Sequence, residues 1–243
     1  MSLKIMQVFG IKIRPILEKK VLKLNFKKQL FLITLNPEIM LKGYYSANFK
    51  QILNSSAFHT IDGIGLQIIA RFLYKKKIKR ATGSDLFTKL LNKINIENNH
   101  KIFLYGASEN SLNKALNRIR YNYPNIIING IHGDIPKKEA VKMINQKKPE
   151  ILLVALGAPK QEVFLYNYLF KMPSVKLAIG IGGGIDSFAH PYLRGPLFMR
   201  KIGLEWFWRL LVEPWRLPRI FRATIIFPIK AIKEKMLFKQ AIK

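Results

Sequence analysis

Ile151-Leu152-Leu153-Val154-Ala155-Leu156 runs directly into Gly157-Ala158-Pro159-Lys160-Gln161-Glu162. A short, continuous apolar run closed by glycine is the signature of a strand buried on both faces. Pro159 and the polar triplet after it then open a helix. The same pattern recurs along the chain. Lys101–Tyr105 ends in Gly106, Asn125–Asn129 ends in Gly130, and Val175–Ile179 ends in Gly180. Leu30–Leu35 is a further strand, ending at Asn36-Pro37, and Ile5–Phe9 is a first, shorter one. Between them, Leu112, Ala115, Leu116 and Ile119 recur at helical spacing, as do Val141 and Ile144. Strand alternating with helix implies right-handed crossovers and a parallel sheet. The expected fold class is α/β: a doubly wound, mostly parallel sheet with helices on both faces, spanning about residues 1–195. Ligands of such sheets sit beyond the carboxyl ends of the strands.

From 196 to 243 the character changes. This stretch holds all three tryptophans, Trp206, Trp208 and Trp215, and its cations far outnumber Glu205, Glu213 and Glu234. Pro214, Pro218 and Pro228 divide it into short helices. The expectation is a basic helical C-terminal appendage on the α/β core.

Composition narrows the function. The 243 residues are 49% apolar, which supplies a core and excludes an intrinsically disordered chain. Lys+Arg total 42 against 14 Asp+Glu, a net charge of +28. A compositional bias toward Lys, Ile and Asn is one explanation of that excess; nucleic acid, an anionic membrane or phosphate-rich substrates are the functional ones. The absence of cysteine excludes disulfides, cysteine nucleophiles and iron–sulfur or cysteine-based zinc sites. His59, His100, His132 and His190 lie far apart, with no pair at ligand spacing, so no metal and no cofactor is expected. No secretory signal is read in the charged N-terminus, and no window is apolar enough to span a bilayer. The expected location is the cytoplasm.

Several short blocks could carry chemistry. Thr34-Leu35-Asn36-Pro37-Glu38 follows a strand; a helix cap with Pro37 in the first turn explains it, and so does a pair of polar side chains, Thr34 and Asn36, facing the crevice. Asp62-Gly63-Ile64-Gly65 reads either as a turn or as a carboxylate at the mouth of the sheet, able to take a proton from a sugar hydroxyl. Gly106-Ala107-Ser108-Glu109 is a weak phosphate or ribose cradle. Gly182-Gly183-Gly184-Ile185-Asp186 repeats the logic of the Gly157 turn, flexible backbone and then an acid. Neither a dinucleotide fingerprint nor a Walker A sequence is present. Arg209, Arg216 and Arg219 sit among the tryptophans, either as a solvated face or as an interfacial helix whose guanidinium groups also suit a diphosphate.

Taken in order, these blocks resemble the WecG/TagA/CpsF family of bacterial glycosyltransferases, glycosyltransferase family 26. The resemblance runs from Val8-Phe9-Gly10-Ile11 through Arg80-Ala81-Thr82-Gly83-Ser84-Asp85-Leu86 and Tyr123-Pro124. It closes with Gly203-Leu204-Glu205-Trp206-Phe207-Trp208-Arg209-Leu210 and Glu213-Pro214-Trp215-Arg216. It implies inverting transfer of an N-acetylmannosamine-type sugar from a UDP donor to an undecaprenyl-diphosphate-linked sugar, in cell-surface polysaccharide synthesis. It implies Asp62 as general base, with Thr34, Asn36 and Arg80 in the site. It also implies Arg209, Arg216 and Arg219 at the diphosphate, carried by an appendage that closes over the site and contacts the inner face of the membrane. Family members can self-associate. Gln161, Asp186 and Gly106 are further substrate-binding candidates. One departure stands out: His132-Gly133-Asp134 replaces the family's frequent His-Gly-Tyr, putting a charge where an aromatic could stack on uracil.

Two rival classes remain at the level of sequence. A nucleic-acid-binding protein would account for the charge, but Asp62, Glu162, Asp186 and Glu205 lie inside the motif blocks, where a polyanion groove would avoid them. An inactive scaffold paralogue is disfavoured by Asp62 together with the three arginines.

Overall fold

The computed structural model describes residues 5–23, 28–75, 78–97 and 100–240. A hairpin, β1 (Met6–Val8) and β2 (Ile11–Ile13), comes first, followed by α1 (Glu18–Val21) and β3 (Leu30–Leu35). Next are α2 (Pro37–Tyr45), α3 (Ala47–Ser55), β4 (Phe58–Ile61), α4 (Ile64–Tyr74) and α5 (Gly83–Glu97). The second half of the sheet is β5 (Lys101–Gly106), β6 (Ile127–Ile131), β7 (Ile151–Ala155) and β8 (Leu177–Gly180), with α6 (Glu109–Asn122), α7 (Lys137–Lys147) and α8 (Lys160–Tyr168) between them. Then come α9 (Gly184–Ala189), α10 (Leu197–Ile202), α11 (Glu205–Val212), α12 (Leu217–Phe221) and α13 (Phe227–Gln240).

Six strands form one sheet in the order β4-β3-β8-β7-β5-β6, every pairing parallel. Strand side chains alternate between its faces, and the buried residues divide accordingly. Ile33, Leu35, Phe103, Tyr105, Leu152 and Val154 join one apolar cluster; Leu32, Ile102, Leu104, Leu153 and Ile179 join another. Helices α2, α3, α4, α7 and α8 fill the first cluster, while α5, α6 and α9 fill the second. This is the doubly wound arrangement expected from the glycine-closed runs.

Three details differ from the sequence expectation. The Ile5–Phe9 run supplies only Met6–Val8, and it pairs antiparallel with β2 in a ribbon of its own. Phe9 and Gly10 form the hairpin turn at φ 58° and 73°, the left-handed backbone that tight hairpins require. The Asn125–Asn129 strand starts two residues later, because Asn125 is hydrogen-bonded to Asn95 and Ile126 closes a turn on Tyr123. Strand β4 is additional. Its centre is His59 and Thr60, polar but fully buried, which breaks the apolar pattern. His59 is satisfied there by the Ser56 hydroxyl, the Leu53 carbonyl and the Arg14 N–H, and burial lowers its pKa to about 4.

The C-terminal helices pack on the first face. Phe227 is fully buried, edge-on to Phe9, and Ala231 is buried with it in the same cluster. Glu234 of α13 accepts the Phe9 N–H at 2.8 Å, tying the hairpin turn to the C-terminal helix.

Candidate active site

Because the strands are parallel, the loops after β3, β4, β7 and β8 emerge on one edge of the sheet. Together with residues of the C-terminal helices they line a cavity of about 360 Å³, a size suited to a small polar ligand.

Asp62 enters this cavity at the end of β4. Its N–H donates to the Leu35 carbonyl at 2.7 Å, so the ladder with β3 extends one residue past the strand. Gly63 then turns the chain at φ 93°, and α4 begins. Gly63 takes a backbone that L side chains rarely adopt, and both glycines of the block lie close to Pro37. A Cβ on Gly63 would sit 3.3 Å from Pro37, and one on Gly65 3.2 Å from it. The Asp-Gly-Ile-Gly sequence therefore lets α2 and α4 converge beside the carboxylate. Burial raises the Asp62 pKa to about 6, opposed by the Gly83 N–H bond and the Arg80 charge, and assisted by the like charges of Glu205 and Asp85. Such a group is poised to exchange a proton near neutrality.

Thr34 and Asn36 both line the cavity, and both also hold it together. The Thr34 hydroxyl donates to the Gly180 carbonyl at 2.7 Å, joining the ends of β3 and β8. Asn36 caps α2, its Oδ1 accepting the Ile39 N–H at 2.9 Å, with Pro37 in the first turn. The cap and the cavity readings thus coexist; the amide nitrogen of Asn36 is the end that can serve a ligand. Arg80 is paired to the end of β4 through its backbone, and its guanidinium donates to the Arg200 carbonyl at 2.6 Å, linking the core to α10. Gln161 is buried at the start of α8, and its Oε1 accepts the Gly182 N–H at 3.0 Å.

Arg209, Arg216 and Arg219 also line the cavity. Glu213 binds two of them, Arg209 Nε at 3.1 Å and Arg216 Nε at 2.9 Å. Arg219 pairs with Glu38, which also takes Lys42 at 3.1 Å. Burial and the adjacent Arg216 charge lower the Arg209 pKa, against Glu213 and Glu205. Three guanidinium groups are thus held in place by two carboxylates, in a geometry chemically suited to an anion.

Two of the expected residues do not line this cavity. Gly106 packs on β7, where a Cβ would come 2.5 Å from the Ala155 backbone; it sets the spacing of β5 against β7. Asp186 lies in the first turn of α9, half-buried. Sequence reading passed over Arg194, Asp85, Glu205 and Arg200. Arg194 pairs with Asp85, and its Nε lies 3.7 Å from Glu205, a cavity residue. Burial pushes Asp85 up, but the Arg194 bond and charge outweigh it, and its pKa lies below the usual value. The signal was present: Asp85 and Glu205 each fall inside a motif block.

The family model described as "Glycosyl transferase WecG/TagA/CpsF family" matches residues 6–241. The chain belongs to that family. Among curated relatives of this glycosyltransferase is one from Bacillus subtilis (strain 168), 36% identical over 189 residues, or 77% of this chain and 73% of the relative. A Bacillus spizizenii (strain ATCC 23059 / NRRL B-14472 / W23) relative is 34% identical over 197 residues, 79% and 76% of the two chains. One from Staphylococcus aureus (strain NCTC 8325 / PS 47) is 31% identical over 214 residues, 87% and 83%. All three carry the name N-acetylglucosaminyldiphosphoundecaprenol N-acetyl-beta-D-mannosaminyltransferase.

Proposed function

We propose that this glycosyltransferase moves N-acetylmannosamine from a UDP donor to an N-acetylglucosaminyl-diphosphate lipid, with inversion at the anomeric carbon. The names of the relatives support the sugar and the acceptor. The observation that carries the mechanism is the meeting, in one cavity, of a carboxyl group tuned to about 6 and three arginines. In the reaction Asp62 takes the proton of the acceptor hydroxyl as that oxygen attacks C1. The bond between C1 and the donor phosphate breaks, and UDP leaves from the opposite face. Negative charge grows on the leaving diphosphate, where Arg209, Arg216 and Arg219 stabilise it most in the transition state. Arg80, tied to the C-terminal helices, keeps that wall against the base. Thr34 and Asn36 shape the floor.

The acceptor is a lipid, so the enzyme must reach a bilayer surface. Among the described residues no helix is long and apolar enough to cross a membrane. The C-terminal helices instead expose Phe198, Leu211, Trp215, Phe221 and Ile229, interspersed with Arg222, Lys230 and Lys233. Apolar side chains among cations favour peripheral docking on an anionic membrane. The test is a panel of UDP-sugars offered with a synthetic N-acetylglucosaminyl-diphosphate lipid, with the product linkage read by NMR. A β-linked N-acetylmannosamine product from the α-linked donor is expected. Transfer from another donor, or retention of configuration, would overturn the reading.

A further inference from the structure

Glu162 is fully buried in the first turn of α8. Its Oε1 accepts from Gln161 Nε2 at 2.7 Å, while Gln161 Oε1 accepts the Gly182 N–H at 3.0 Å. A side-chain amide has one donating end and one accepting end, so the two bonds together admit a single orientation. Gly180 closes the arrangement: a Cβ there would come 2.7 Å from Gln161 Nε2. Gln161, Gly182 and Gly183 all line the cavity, and Gly182 is held at φ 53°. Glu162 Oε2, by contrast, is buried without a hydrogen-bond partner. For the fold alone an apolar side chain would serve better, since a buried carboxyl group with an unsatisfied oxygen is costly.

We propose that Glu162 is a positioning residue for the transfer reaction: its carboxyl group locks the Gln161 amide, which in turn fixes the Gly180–Gly184 turn as the wall against which the donor is held. The assignment deepens the transferase reading and rests on it for its effect on turnover; the coupling from Glu162 to Gly182 stands on geometry alone. Burial raises the Glu162 pKa to about 7, opposed first by the Gln161 bond. Of the elements around α8, α2 brings Lys42, which lowers the pKa, and Glu38, which raises it. Strands β3 and β8 bring Thr34 and Gly180, while α3 contributes the apolar Phe49, Ile52 and Leu53 to the shared cluster. The carboxylate is the stronger acceptor, so the lock tightens as pH rises through about 7.

Two variants and one spectroscopic signal test this. Glu162→Leu removes the acceptor and leaves Gln161 held by the Gly182 N–H alone. Its kcat should fall about ten- to a hundredfold, as misplacement of a site wall does, while Tm stays level or rises. Glu162→Gln keeps an accepting oxygen and should restore kcat to within about threefold of the wild type. The Gly182 amide resonance should titrate near 7, beside any response to Asp62 near 6, and Glu162→Gln should abolish the component near 7. Wild-type kcat in Glu162→Leu, or a Gly182 resonance indifferent to Glu162→Gln, would overturn the proposal. If Glu162→Leu fails to fold, the Gly182 titration decides alone. That signal needs no turnover, so it separates this proposal from failure of the transferase reading, which would appear as a wild-type protein inert with every donor.

Discussion

At the scale of single residues, the carboxyl group proposed as the base and the stability of the fold pull in opposite directions. Asp62 has a pKa raised from 3.8 to about 6. Between those values the folded state binds a proton that the unfolded chain releases, so its contribution is unfavourable above about 6 and absent below 3.8. Asp62→Asn should therefore raise Tm at neutral pH, with the gain disappearing on acidification toward 3.8, as thermal melts across pH will read. The same substitution should lower kcat by about 10²–10⁴-fold, the usual contribution of a general base. In the wild type kcat/KM should rise with pH through about 6, because the base must be ionised to accept a proton. Thr34 behaves more simply. Thr34→Val removes the hydroxyl bond to the Gly180 carbonyl, which keeps its ladder bond to β3, and should cost about 0.5–1.5 kcal/mol in denaturant unfolding.

At the scale of elements, the arginine wall is graded by burial. The Arg209 side chain is 15% exposed, Arg216 25% and Arg219 51%. Charges in a drier setting act more strongly on a developing anion. Alanine substitution should thus lower kcat most at Arg209 and least at Arg219, with about a 10²–10³-fold loss at the first, measured under saturating donor. The elements also mark what was legible in the sequence. Strands β3, β5, β7 and β8 announced themselves because they are almost continuously apolar and closed by a glycine or by Asn-Pro. Strand β4 did not, because His59 and Thr60 obtain their partners from Ser56, Leu53 and Arg14, which only tertiary structure brings near. The cavity residues Asp62, Thr34, Asn36, Arg80, Gln161 and the three arginines were readable as motif blocks. The pairing of Arg209 and Arg216 with Glu213 is local in sequence, but that of Arg219 with Glu38 spans a large separation and only the fold reveals it. Gly106 read as a cradle from its place after a strand, yet its glycine is required by contact with Ala155.

At the scale of the whole molecule, the helices after residue 195 belong to the same apolar cluster as the hairpin and α4, through Phe227 and Ala231. Removing them would uncover Phe9, Leu66 and Ile69 and take away the arginine wall together. A chain ending at residue 195 should melt at lower temperature, bind a hydrophobic dye and lack transferase activity. The charge of +28 operates at this scale too. The 243-residue chain should sediment with vesicles containing phosphatidylglycerol and release as salt rises, since each basic residue near such a surface contributes about 1 kcal/mol that salt screens. Trp215→Ala, at a side chain 73% exposed, should weaken vesicle binding without changing Tm. Acceptor-dependent release of UDP, compared between the wild type and Asp62→Asn on one lipid-diphosphate acceptor, tests the central claim most directly. Release by the wild type that falls by about a hundredfold or more in a folded Asp62→Asn protein is the expected result. Equal release by the two proteins would contradict the assignment of Asp62 as the base.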